Sequence, residues 1–297
     1  MPRDQSRSIG AGSDVTSTEI SYGKAHVLFY RFGGRNVAPF AASVDVDVFG
    51  KRFLAAYTEG DNREVVATDT MKNFVYAMAA EYAGNTLLGL CAFLGRRFIE
   101  TYPVMEALRV SAREVPLDAA AGERGPSDVL FRSARADRAV AEVSVDVVDG
   151  KPHITAARSG WEGIALVKTT GSSFATFARD DYTTLPELAD RPLTIRMDVY
   201  WRYSDLKDGV AEGSGFLGPR AVRDEIERIF HEFSSRSIQH LVHEIGARLF
   251  AAHSQLGEIE FVAENHTPDH VRDGAEGIRV FAEPRATFGK IGLVMKR

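Results

Sequence analysis

Val44, Val46 and Val48 alternate with Asp45 and Asp47 across Ser43–Phe49. Period-two alternation of this kind predicts a strand with one face in a core and the other in water. The same rhythm returns in Ala139–Val148, where Val143, Val145 and Val147 point one way and Glu142, Ser144 and Asp146 the other. His26–Phe32 and Val104–Val110 read as further strands. Between the two pairs the spacing becomes helical, over Thr70–Glu81 and, after Gly84-Asn85, over a longer run to about Thr101. Asp149-Gly150 then gives a strong hairpin signal, because both central positions of a tight two-residue turn favour residues that tolerate positive φ.

Beyond that turn the order repeats. Ile154–Thr169 and Leu193–Arg202 read as strands. Pro219 sits where a first helical residue belongs and opens a helix with Val222, Ile226, Ile229, Phe230 and Phe233 on one face. A second helix carries Ile238, Leu241, Val242, Ile245, Leu249 and Phe250 at helical spacing. Glu258–Ala263 and Arg279–Ala282 read as the closing strands, with a further stretch at Ile291–Lys296. Each half thus runs strand, strand, helix, helix, strand, strand. The expected class is α+β: two antiparallel sheets in tandem, each with its apolar face covered by two helices. The expected limits are a disordered tail over 1–20, a first half over 21–149 and a second over 150–297.

Composition narrows the function little. The 297 residues are 44% hydrophobic and 26% charged, and the net charge of −5 gives no footprint for nucleic acid. Cys91 is the one cysteine, which excludes an intrachain disulfide, and within the apolar run Leu87–Leu94 it reads as a small core residue. No apolar stretch reaches the roughly 20 residues of a membrane span, and no signal peptide opens the chain. The chain closes on Met295-Lys296-Arg297 rather than on a peroxisomal Ser-Lys-Leu address, so the expected location is cytoplasmic.

Several motifs fail on context. Gly213-Ser214-Gly215-Phe216-Leu217-Gly218 fits GxGxxG, but the stretch before it, Ser204–Gly209, is polar loop where a nucleotide fold needs a buried strand. His240 and His243 lie three apart with other histidines nearby, yet neither HExxH nor a cysteine pattern accompanies them, and no metal is expected. Gly171-Ser172-Ser173-Phe174 is not a hydrolase elbow. Asn265-His266-Thr267 fits a glycosylation acceptor that an intracellular chain would not use.

What remains are polar stretches at the junctions between elements: Tyr22-Gly23-Lys24, Ala67–Asn73, Arg179–Leu185, Arg236–Gln239 and Glu264–Thr267. Each has a bland reading alone; Thr68 or Asp69, for instance, could cap the helix that follows. Taken together and in order, from about Tyr22 to the closing Phe288-Gly289-Lys290-Ile291, they resemble the urate oxidase family. The resemblance implies the tunnelling fold (T-fold), in which tandem four-stranded halves assemble as a homotetramer around a tunnel, with active sites at subunit interfaces. It implies urate and O2 as substrates, no cofactor, and 5-hydroxyisourate and hydrogen peroxide as products.

Carried over residue by residue, Arg191 would make a forked pair of hydrogen bonds to urate, and Gln239 would address the opposite rim with its amide. Phe174 would stack on the ring, the backbones of Asp69 and Ile238 would complete the rim, and Asn265 would hold oxygen or water above it. Lys24, Thr68 and a histidine, here His266, would form the catalytic relay that deprotonates urate. A lysine with an ordinary pKa of about 10.4 is a poor base, so burial or a cation such as Arg191 must favour its neutral form. One departure stands out. Much of the family carries the histidine two residues after the asparagine, whereas here His266 follows Asn265 directly and Thr267 holds the second place. On a strand that step reverses the side-chain direction. Either the backbone bulges to re-aim His266, or Thr267 or water serves instead. Two other readings compete: a T-fold enzyme acting on a pterin-like ring, often with zinc, and a purine binder without catalysis.

Overall fold

The computed structural model describes residues 19–33, 37–133, 135–210 and 215–297. The expected tail over 1–20 lies outside them except for its last two residues. Eight strands form one continuous antiparallel sheet: β1 (Ser21–Arg31), β2 (Phe40–Phe49), β3 (Ala107–Glu114), β6 (Arg138–Val148), β7 (Lys151–Lys168), β8 (Leu193–Tyr203), β9 (Leu256–His266) and β12 (Gly289–Lys296), in that spatial order. The sheet is thus two four-stranded sets laid edge to edge. Asp149 and Gly150, at φ 51° and 72°, make the tight turn between β6 and β7 that joins them.

One face of the sheet is covered by four helices: α2 (Thr68–Glu81), α3 (Leu87–Thr101), α5 (Pro219–Glu232) and α6 (Ile238–Ala252). The buried alternate residues of the strands, including Val44, Val46, Val143, Val145, Ile195, Val199 and Phe261, meet Met71, Leu90, Leu94, Ile226, Leu241 and Ile245 in a single core. Cys91 sits within it, and burial pushes its thiol well up. The opposite face is polar and laddered by ion pairs such as Asp45–Arg113, Asp47–Arg109 and Arg202–Glu258. The fold is the tandem T-fold.

The structure departs from the sequence reading in its excursions from the sheet. Two short helices, α1 (Leu54–Thr58) and α4 (Leu206–Val210), and a hairpin of β4 (Asp118–Gly122) with β5 (Gly125–Arg132) have no counterpart in the periodic pattern. In the second half, β10 (His270–Asp273) pairs with β11 (Arg279–Phe281) as a separate hairpin, so Arg279–Ala282 is not a strand of the main sheet. The fourth strand of that half is β12. Burial explains the difference: no residue of β10 or β11 reaches the core, whereas Ile291 and Leu293 of β12 pack against it. Within the GxGxxG segment, Gly213 and Ser214 lie outside the described residues, and Gly218 is the N-cap of α5. No helix among the described residues is long and apolar enough to cross a membrane.

Candidate active site

A cavity of about 190 Å³ opens where β9 and β12 meet the start of α6. Its lining includes Phe174, Leu185, Arg191, Ile238, Gln239, Asn265 and Thr267. These residues come from four separate segments, and backbone pairing holds the segments together. The N–H of Arg191 donates to the carbonyl of Ser172 at 2.8 Å, Phe174 and Leu188 exchange backbone bonds at 2.8 and 2.9 Å, and Ser173 N–H donates to Ser235 at 2.8 Å. Lys168, at the end of β7, donates to the carbonyls of Phe230, His231 and Phe233 at the C-terminus of α5. It thereby fixes the turn that leads into α6. Ser237 caps α6 by accepting the His240 N–H at 3.1 Å, which presents Ile238 and Gln239 on the first turn, at the positive end of the helix dipole.

Arg191 is the electrostatic centre of the cavity. It is 6% exposed, its guanidinium carbon lies 5.4 Å from the Phe174 ring centroid, and its Nη1 donates to Thr267 Oγ1 at 3.3 Å. Its Nε has no partner, and no carboxylate lies within ion-pair range of it among the described residues. Burial alone lowers its pKa, and the group stays charged. A buried cation without a counter-ion is costly unless a ligand supplies the charge. Such a site suits a flat anion that lies on Phe174 and offers two acceptors to the guanidinium fork.

The neighbouring Asp190 straps this loop in place, accepting from Thr170 Oγ1 at 2.9 Å and Gly171 N–H at 2.8 Å. Partial burial works against its charge, but those bonds, with a further one from the Ser172 backbone, outweigh it and hold the carboxyl below the usual carboxylate range. A group with a depressed folded pKa stabilises at pH values above its ordinary pKa and loses that contribution as pH falls through the folded value. Asp190→Asn is therefore expected to weaken binding of an unreactive purine dione about tenfold near neutrality, with the gap from the parent narrowing below about pH 4. Titration calorimetry from pH 7 downward checks this.

A second cluster forms elsewhere. Lys24 lies on β1, and Thr68 and Asp69 are the first two residues of α2. Between Lys24 and Val27 the register with β2 slips by one residue, with His26 at φ 57°. That bulge puts Lys24 opposite Val46, on the helix-covered face; regular alternation with the buried Val27 and Phe29 would have turned it away. Tyr22, two residues earlier on the same face, packs edge-on against Phe53 and accepts the Val66 N–H at 3.0 Å, which ties down the segment leading into α2. The N-cap of α2 is Ala67, with no side-chain cap bond, so neither Thr68 nor Asp69 takes the capping role. The Asp69 carboxylate instead pairs with Lys72 and with Asn73 Nδ2, and its pKa is lowered by Lys72 first and by Lys24 in smaller part. Thr68 and Asp69 are exposed, and none of the cluster lines the Arg191 cavity. Tyr22→Phe is expected to cost about 1 kcal/mol of stability, measured by thermal unfolding, because the Val66 N–H loses its acceptor.

His266 belongs to neither cluster. Its Nε2 lies 2.9 Å from Glu264 Oε2 and its ring 4.9 Å from Phe288, on the sheet face away from the helices. Thr267 reaches the cavity instead. The Asp180–Leu185 stretch closes on itself through Asp180 and Thr183, leaving Tyr182 91% exposed, and sends only Leu185 to the cavity wall. Gly289 and Ile291 also line the cavity, and the one signal for them was their place in a distinctive closing stretch. A larger hollow of about 510 Å³ between α3 and α5 holds none of the residues assigned to urate or to the proton relay.

The uricase family profile matches residues 20–137 and 157–291. A uricase of Haloferax volcanii is 39% identical over 91% of this chain and 96% of its own length. A uric acid degradation bifunctional protein of Bacillus subtilis is 34% identical over 94% of this chain, which spans 61% of that protein. Among solved structures, a hyperthermostable mutant of a urate oxidase of Bacillus sp. TB-90 superimposes with a TM-score of 0.88 at 32% identity, covering 94% of this chain and 99% of that one. A uricase from Bacillus fastidious gives 0.87 at 33%, covering 93% of each. With its fold and almost all of its length matched in this way, the chain belongs to the uricase family of urate-oxidising enzymes.

Proposed function

We propose that this enzyme converts urate, O2 and water to 5-hydroxyisourate and hydrogen peroxide without a cofactor, and that each active site is shared by two copies of the chain. The observation that carries the reading is Arg191, a buried guanidinium with a free Nε, beneath Phe174 and across the cavity from Gln239. Urate is a planar anion rimmed with carbonyl and N–H groups. Arg191 would take one edge with its fork, Gln239 and the Ile238 N–H the other, and Phe174 one face.

Lys24 and Thr68 would remove the proton that turns the monoanion into a dianion reducing enough to hand electrons to O2. Lys24 would accept the proton as general base, through the Thr68 hydroxyl. The dianion passes two electrons to O2, which takes up two protons and leaves as hydrogen peroxide. Water adds at the ring carbon left electron-poor, so the atoms of urate, O2 and H2O are all accounted for in the two products.

The two clusters lie at opposite ends of the sheet. From β1 to β9 is six strand spacings, on the order of 30 Å along the sheet. A second copy that sets its β1 edge beside β12 would bring its Lys24, Thr68 and Asp69 to the Arg191 cavity. Among the described residues both edges are open, with Leu28 and Tyr30 exposed on one and Val294 on the other, and Tyr182 is exposed. Open apolar edges of this kind call for a partner. We take the assembly to be a homotetramer.

The test is to mix purified protein with urate in air and follow loss of its ultraviolet absorbance with a peroxide assay alongside. Equal loss of urate and gain of peroxide, unaffected by a chelator and by a protein preparation free of flavin and metal, is the expected result. No turnover by a well-folded oligomer would sink the reading.

A further inference from the structure

The cavity contains a hydroxyl that the substrate contacts above leave without a role. Thr267 Oγ1 accepts from Arg191 Nη1 at 3.3 Å, and it lies 3.5 Å from Asn265 Oδ1. A guanidinium can only donate, so the threonine oxygen is the acceptor in the first contact and its own proton is free for a second. The acceptor within reach of that proton is the Asn265 carbonyl oxygen. At 3.5 Å the second contact is at the outer limit for a hydroxyl bond, and it sets a direction more than it adds strength. Arg191, Thr267 and Asn265 form a directed wire.

The direction has a consequence for Asn265. Which end of a side-chain amide carries the oxygen is decided by its neighbours. With Oδ1 turned to Thr267, the NH2 end is left to face the cavity as a donor. Asn265 itself is held by the ladder, opposite Ile195 on β8 and Gly289 on β12, and Gly289 puts no side chain in its way. The step from Asn265 to Thr267 keeps both on the cavity side, while His266 between them turns to Glu264 on the other.

We propose that Thr267 is a positioning residue for urate oxidation in this chain: its hydroxyl links the Arg191 guanidinium, which would grip urate, to the Asn265 amide, which would meet the oxygen species, and holds that amide as a donor. This rests on the function proposed above. A negative charge developing on reduced oxygen is met by N–H rather than by a carbonyl oxygen, so the arrangement favours the reacting state over the bound substrate. A threonine hydroxyl also carries no charge at any working pH, whereas an imidazole in its place would titrate below its ordinary value of about 6.5, because burial and Arg191 both disfavour its cation.

The experiment compares the parent with Thr267→Val, Thr267→Ser and Thr267→His, reading kcat for urate against pH and the Kd of xanthine as an unreactive purine dione. For Thr267→Val, which keeps the shape and loses the hydroxyl, kcat is expected to fall about 10- to 100-fold while the xanthine Kd moves less than about fivefold. Thr267→Ser should recover kcat to within about threefold of the parent, and Thr267→His should add a pH limb below about 6.5 that the parent lacks. A Thr267→Val enzyme with parental kcat would overturn the inference, making the residue a wall of the cavity. So would equal losses in the valine and serine variants, which would assign the effect to the methyl group. A parent that leaves urate untouched would overturn the proposed function and this inference with it, and is told apart by that control alone.

Discussion

Replacing Lys24 with alanine is expected to cut kcat for urate by 10²- to 10⁴-fold, the span that a positioned general base contributes. The Kd for an unreactive purine dione should stay within a few-fold of the parent value. The two readouts separate because the proposed ring contacts come from Arg191, Gln239 and Phe174, which line the cavity, whereas Lys24 is given only the proton. Losing the amine removes the proton acceptor and leaves the grip on the ring. Stopped-flow absorbance for turnover and calorimetry for binding make the comparison. A Lys24→Ala enzyme with parental kcat would show that the proton goes elsewhere. An equal loss of affinity would mean that Lys24 acts by holding substrate.

The second large effect comes from mixing. Lys24→Ala and Arg191→Gln should each be inactive alone, the first for want of a base and the second for want of the guanidinium clamp. If each site takes Lys24 from one copy and Arg191 from another, unfolding and co-refolding the two variants together restores activity. Random assembly makes about one site in four complete, because a complete site needs the Arg191→Gln chain to supply Lys24 and the Lys24→Ala chain to supply Arg191. The reasoning starts from the sheet order, which sets β1 and β9 six strands apart in one chain. Recovery to about a quarter of parental activity is the expected result. A co-refolded oligomer that stayed inactive would mean that each chain completes its own site, and the shared-site reading would fail.

Much of this architecture was legible because it is local. Val44, Val46 and Val48 read as one face of a strand from three side chains and a period of two, and the structure buries all three. Pro219 and the stripe from Val222 to Phe230 read as a helix for the same reason. The excursions were not legible. The hairpin over 118–132 has a short, mostly exposed pattern, and the stretch over 279–282 reads as a sheet strand because so few residues cannot reveal whether their partner is the main sheet or a neighbour six to eleven residues back. The capping reading of Thr68 and Asp69 was reasonable on residue type, yet the chain enters α2 through Ala67.

The candidate site divides along the same line. The sequence by itself determined which side chains are available: a lysine and threonine near the first two elements, an arginine, a glutamine and a phenylalanine in the second half, and an asparagine followed by histidine and threonine. It determined also that the chain repeats one unit twice, since periodicity survives without knowledge of any contact. Tertiary structure alone decided where those side chains face. The bulge before Val27 turns Lys24 onto the helix side, and the single-residue step after Asn265 sends His266 to Glu264 and Thr267 to Arg191. It also set the Lys24 and Arg191 clusters at opposite ends of one sheet. A side chain's direction depends on register, and register is a pairing between strands far apart in sequence; one residue of slip reverses it while leaving the local pattern unchanged.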